Sequence, residues 1–110
     1  LDGSFNYSNE VNVEIIAPAE FGLAQNYPNP FNPSTKISFG LAVDSKVKIS
    51  VYNLLGEQVA ILLNSDMTVG NHNVTFDAKN LNSGVYFYKL EATGVDGQNF
   101  TSTMKMILTK

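Results

Sequence analysis

From Phe5 onward, apolar and polar positions alternate, with Phe5, Tyr7, Val11, Val13 and Ile15 on one face and Ser8, Glu10, Asn12 and Glu14 on the other. A period of two is the signature of a half-buried strand. Ala17-Pro18-Ala19-Glu20 ends it as a short hinge, and Phe21-Gly22-Leu23 leads into Asn26-Tyr27-Pro28-Asn29-Pro30-Phe31-Asn32-Pro33. Proline fixes φ, lacks a backbone donor and pushes the residue before it toward extended geometry, so this octapeptide predicts a stiff, irregular strap. Its two rings, Tyr27 and Phe31, need a surface. The strap is therefore expected to lie against the domain that follows.

Beyond Pro33 the pattern becomes a series of short strands. Ile37, Phe39 and Leu41 alternate, and after the turn Val43-Asp44-Ser45 so do Val47, Ile49 and Val51. The turn Asn53-Leu54-Leu55-Gly56-Glu57 precedes a strand over Val59 to Leu63, a loop over Asn64 to Gly70, and a strand carrying His72, Val74 and Phe76. Asp77 to Gly84 returns the chain to Val85-Tyr86-Phe87-Tyr88-Lys89-Leu90, which is apolar on both faces at its start and so predicted to be central. Asp96-Gly97 predicts a tight hairpin into the last strand, whose Phe100, Met104, Met106 and Leu108 share a face. No segment repeats apolar residues at three and four, so no long helix is expected. The pattern predicts an all-β, two-sheet sandwich.

At 110 residues the chain suits one core plus an appendage. It divides into an appended strand over 1–16, a proline-rich linker and strap over 17–34, and a sandwich over 35–110. The formal net charge is −3 and every basic residue other than His72 is a lysine. Scattered lysines outnumbered by carboxylates, without an arginine fork, argue against a nucleic-acid partner. The absence of cysteine excludes disulfide scaffolds, thiol catalysis and zinc ribbons. No apolar run reaches membrane-spanning length and no export signal opens the sequence. Leu1-Asp2-Gly3, lacking an initiator methionine, suggests a piece of a longer protein.

Candidate chemistry is sparse. His72 stands without a nucleophile or carboxylate constellation at recognisable spacing, and reads as a strand residue. Asp44, Asp66, Asp77 and Asp96 are expected in four separate turns, where carboxylates bond local amides; calcium binding would require those loops to converge. Three tracts, at Asn6, Asn73 and Asn99, match the weak N-glycosylation pattern. Met104 and Met106 read as core fillers, and Tyr86 and Tyr88 as packed rings rather than a sugar platform. No cofactor is expected.

Five segments occur in one order: Asn26 to Pro33, Val51 to Val59, Gly70 to Asp77, Leu81-Asn82-Ser83-Gly84-Val85-Tyr86-Phe87-Tyr88-Lys89-Leu90, and Lys105-Met106-Ile107-Leu108-Thr109-Lys110. Together they closely resemble the C-terminal sorting domain of the bacterial type IX secretion system, over about Phe21 to Lys110. A looser resemblance to the immunoglobulin-like domain of flagellar hook-capping proteins is outweighed by the terminal Lys-Met-Ile-x-x-Lys. The resemblance implies an immunoglobulin-like β-sandwich of about seven antiparallel strands, ending at a natural C-terminus. It would act as an address read by the outer-membrane secretion machinery, without a catalytic site, on a protein bound for the outer-membrane surface or the extracellular space. Recognition is expected on the last two strands and the Gly84 turn, with Gly84, Tyr86, Tyr88, Lys105, Met106 and Lys110 as candidates.

Asp2 to Val11 resembles instead the last turn and strand of a fibronectin type III domain, which would make 1–16 a remnant with an unpaired apolar face. Such a strand seeks a sheet. The alternative function is therefore a filament subunit that donates Phe5, Tyr7, Val11, Val13 and Ile15 to the next copy.

Overall fold

The alternating segments form seven strands in a computed structural model that describes residues 20–110: β1 (Gly22–Leu23), β2 (Ser34–Leu41), β3 (Ser45–Tyr52), β4 (Gln58–Met67), β5 (Gly70–Asp77), β6 (Gly84–Gly94) and β7 (Asn99–Leu108). The expected appended strand, with Phe5, Tyr7, Val11, Val13 and Ile15, lies outside the described residues. Every pairing between these strands is antiparallel, in a three-stranded sheet ordered β1-β2-β5 and a four-stranded sheet ordered β4-β3-β6-β7. β3 with β4, and β6 with β7, are sequential neighbours in one sheet. The chain crosses between sheets from β2 to β3, from β4 to β5 and from β5 to β6, giving an immunoglobulin-like sandwich.

Register explains which residues face inward. Val47, Ile49 and Val51 of β3 stand opposite Ala92, Leu90 and Tyr88 of β6, and Tyr88 and Tyr86 stand opposite Met104 and Met106 of β7. Residues directly across from one another share a face, so these side chains form one continuous inner surface. Ile37, Phe39 and Leu41 of β2 pack against it from the other sheet. Tyr86 adds a corner tie, its hydroxyl donating to the Asn82 carbonyl at 2.7 Å. That is the tyrosine-corner arrangement of immunoglobulin-like folds, in which a ring near the start of the sixth strand reaches back to the preceding loop.

Three expectations need correction. The loop expected over Asn64 to Gly70 is mostly strand, because β4 continues to Met67 opposite Ser45. Its polar Asn64, Ser65 and Asp66 are exposed, as suits the edge of a sheet. Asp66 consequently sits opposite Lys46 on a strand, not in a turn. Tyr27, expected to pack, is 81% exposed and only Phe31 of the two strap rings is buried.

Candidate recognition surface

The register places one end of the sandwich unambiguously. Tyr52 at the end of β3 pairs with Phe87 near the start of β6, Phe87 pairs with Lys105 near the end of β7, and Gly84 pairs with Leu108. The β3–β4 turn, the β5–β6 loop and residues 108–110 therefore lie at the same pole. The strap reaches it too: Phe31 bridges Leu108 in parallel.

The strap is bonded to β7 as though it were a short additional strand. The Phe31 amide donates to the Ile107 carbonyl at 2.9 Å, and the Thr109 amide donates to the Phe31 carbonyl at 2.9 Å. The Ile107 amide donates to Asn29 Oδ1 at 2.9 Å, and Gln25 Nε2 donates to the Lys105 carbonyl at 2.8 Å. These bonds cover the outer edge of β7 from Lys105 to Thr109. Inside, the Phe31 ring lies against Phe76, with centroids 6.1 Å apart.

A second, buried network fixes the start of the strap. The Tyr88 hydroxyl accepts the Asn26 amide at 2.8 Å and donates to the Ala24 carbonyl at 2.7 Å. Asn26 Nδ2 donates to the Pro28 carbonyl at 3.1 Å and to Thr35 Oγ1 at 3.0 Å. Burial pushes the Tyr88 hydroxyl above its ordinary value of 10.0, with the bond from Asn26 pulling the other way. A neutral tyrosine can act as donor and acceptor at once, and both roles are used here.

The six candidate residues divide by depth. Tyr86, Tyr88 and Met106 are interior, so in the folded domain they shape the pole and do not offer a partner direct contact. Lys105 and Lys110 are exposed, and Gly84 is half-buried at φ +153°. Lys110 is anchored by its amide donating to Ser83 Oγ at 3.0 Å and its Nζ donating to the Lys79 carbonyl at 2.6 Å. Gly84, Lys105 and Lys110 are thus gathered at one pole although 26 positions separate the first from the last (110 − 84).

The β3–β4 turn is a component that alternation alone did not single out. Asn53 Oδ1 accepts the amides of Leu55 at 2.9 Å and Glu57 at 3.0 Å, while Asn53 Nδ2 donates to Glu57 Oε1 at 2.8 Å. Gly56 completes the reversal at φ +82°, a region that residues with a Cβ avoid. The turn holds Leu54 and Leu55 outward, 68% and 84% exposed. Two adjacent leucines inside an otherwise polar turn were the available sequence signal.

His72 and three of the four aspartates bond nearby backbone groups. His72 packs its ring against Phe39 with centroids 5.6 Å apart, and its Nε2 lies 2.7 Å from the Thr68 carbonyl. Asp44 Oδ1 accepts the Val69 amide at 2.8 Å, Asp77 Oδ1 the Lys79 amide at 3.0 Å, and Asp96 Oδ1 the Gln98 amide at 3.1 Å. No three metal-ligating side chains come together among the described residues. A shallow trough of about 320 Å³ over Gly22, Ala24, Ser38, Gly40 and Asn71 contains no titratable side chain. No helix among them is long and apolar enough to cross a membrane.

Comparison with solved structures returns CopC from Methylosinus trichosporium OB3b, with a TM-score of 0.54 and 18% identity over 81% of this chain and 93% of that one. At that identity the likeness shows the β-sandwich fold alone. A search of curated proteins finds no match. The family model described as "Secretion system C-terminal sorting domain" matches residues 25–108, from the strap to the last residue of β7. The chain belongs to the family of type IX secretion system C-terminal sorting domains.

Proposed function

We propose that this sandwich is a non-catalytic address that directs an attached protein through the outer-membrane type IX machinery to the cell surface or the extracellular space. The observation that carries this reading is convergence. The strap, the β3–β4 turn, the Gly84 segment and the Lys105 to Lys110 segment are far apart in sequence, yet the pairing brings all four to one pole. Structural need accounts for Tyr86, Tyr88 and Met106, which are buried; Lys105 and Lys110 are exposed, and of the two only Lys110 has a side-chain bond, to the Lys79 carbonyl. In this reading Lys105 and Lys110, flanking the Gly84 turn, touch the machinery, and the three interior residues hold them in place.

The test is a reporter fused upstream of the domain in a host with type IX secretion, comparing the parent with Lys105→Glu/Lys110→Glu. The parent should reach the surface and the double variant should accumulate in the periplasm at unchanged thermal stability. Equal surface delivery would remove both lysines from the recognition surface.

A second reading rests on β5, which pairs only with β2 among the described residues and so leaves its other edge unpaired. Residues 1–16, as the remnant of an upstream domain, would add Phe5, Tyr7, Val11, Val13 and Ile15 to that edge of a neighbouring copy. Size-exclusion chromatography over a wide concentration range should then show growing assemblies. A constant monomer ends this reading.

A further inference from the structure

We infer that Ser83 is a positioning residue for recognition: through Ser83 and the Lys79 carbonyl, the β5–β6 loop holds the Lys110 ammonium in one place for an acceptor group on the secretion machinery. This rests on the sorting role proposed above and names what orients one of its contacts. Lys110 lies past the end of β7, beyond the last ladder pair between Gly84 and Leu108. A lysine in such a place has more rotamer freedom to lose than most side chains. Here it is tied twice, and both ties run to the same loop. Its amide donates to Ser83 Oγ at 3.0 Å and its Nζ donates to the Lys79 carbonyl at 2.6 Å.

The loop is a firm support because its own bonds are made elsewhere. The Ala78 amide donates to the Pro33 carbonyl and the Leu81 amide to the Ala78 carbonyl, each at 2.9 Å, and Ala78 is buried. Asp77 Oδ1 accepts the Lys79 amide at 3.0 Å, and the Asn82 carbonyl accepts the Tyr86 hydroxyl at 2.7 Å. A loop bonded at these points does not need Lys110 to keep its shape. The two bonds it makes to Lys110 therefore orient the lysine. An ammonium has three donors, so one spent on the Lys79 carbonyl leaves two for a partner. A side chain held in advance in this way has less freedom to lose on binding, which favours the contact.

The experiment compares Ser83→Ala, Lys110→Ala and the double variant with the parent, as upstream reporter fusions in a type IX host. Ser83 is exposed, so its variant should keep the parent's thermal midpoint. Its surface delivery should fall roughly three- to tenfold, the effect of one ordinary hydrogen bond. Lys110→Ala should fall at least as far, and the double variant no further than Lys110→Ala, because Ser83 acts through the lysine. In the 110-residue chain, the NMR order parameter of the Lys110 amide should drop in Ser83→Ala while those of Tyr88 and Leu90 stay unchanged. Delivery of Ser83→Ala equal to a delivering parent, a further loss in the double variant, a lowered thermal midpoint, or an unchanged order parameter at Lys110 would each overturn the positioning role and leave the sorting role standing. A parent that delivers nothing would overturn the sorting role, and the positioning role with it.

Discussion

Phe31 and Leu108 form a parallel bridge, so the buried ring of the strap is joined to the last core residue of β7. Both side chains are essentially inaccessible, at 1% exposure each. The strap is thereby part of the core that it crosses.

Phe31→Ala should therefore behave as a core deletion. Removing a ring packed on Phe76 is expected to lower stability by about 3 to 5 kcal/mol, measured by urea denaturation. Phe21→Ala is the comparison. Phe21 stacks on Phe100 at 5.5 Å but is only half-buried, and its loss should be clearly smaller.

Tyr88→Phe keeps the ring and removes the hydroxyl, leaving the buried Asn26 amide without its acceptor and the Ala24 carbonyl without its donor. A loss of about 1 to 3 kcal/mol is expected. The hydroxyl also sets a pH dependence. Because burial raises its folded value above 10.0, the unfolded chain loses this proton first, and stability present below pH 10 falls as pH rises beyond it. Chemical denaturation from neutral to alkaline pH should show a shallower decline for Tyr88→Phe than for the parent. Equal slopes would assign the decline to other groups.

Gly84→Val tests the start of β6. A Cβ there would meet nothing within 4 Å, so any cost comes from the φ of +153° and not from crowding. A penalty of at least about 1 kcal/mol is expected, because a β-branched residue does not settle in that region. An unchanged thermal midpoint would show that the backbone relaxes freely at this position.

Asn53→Ala removes the acceptor shared by the Leu55 and Glu57 amides. The turn is exposed and water replaces part of the loss, so the global effect should be only about 1 kcal/mol. Hydrogen exchange provides the sharper readout. Leu55 and Glu57 should lose protection while Tyr88 and Leu90, in the central strand, keep theirs.

The regular alternation of Ile37 to Leu41, Val47 to Val51, and Phe100 to Leu108 made the sandwich legible before any coordinates, because each strand buries one face. β4 broke the pattern for two physical reasons. It is an edge with solvated polar residues at its end, and register shifts between Ile49 and Ser50 and between Val51 and Tyr52 move its phase. β1, at two residues, is too short for any period to register. Of the candidate surface, Gly84, Lys105 and Lys110 were named from their motifs, whereas the pairing of Asn29 and Phe31 with β7 was not anticipated. Those bonds join positions close only in three dimensions, and local patterning carries no trace of them. Motif membership also failed to separate exposed from buried residues. Tyr86, Tyr88 and Met106 belong to the same motifs as the exposed residues, yet their place is inside.

The bond between Asn29 and Ile107 closes a loop of 78 positions, and this dictates an order of events. A chain emerging N-terminal end first carries the strap long before its partner strand is available, with Phe31 unhoused in the meantime. Closing so distant a contact is entropically costly and tends to come late in folding. Residues as far as the β6–β7 hairpin would thus be an unfinished object and not a smaller domain. The part of the pole built from the strap and residues 105–109 forms only once β7 is present.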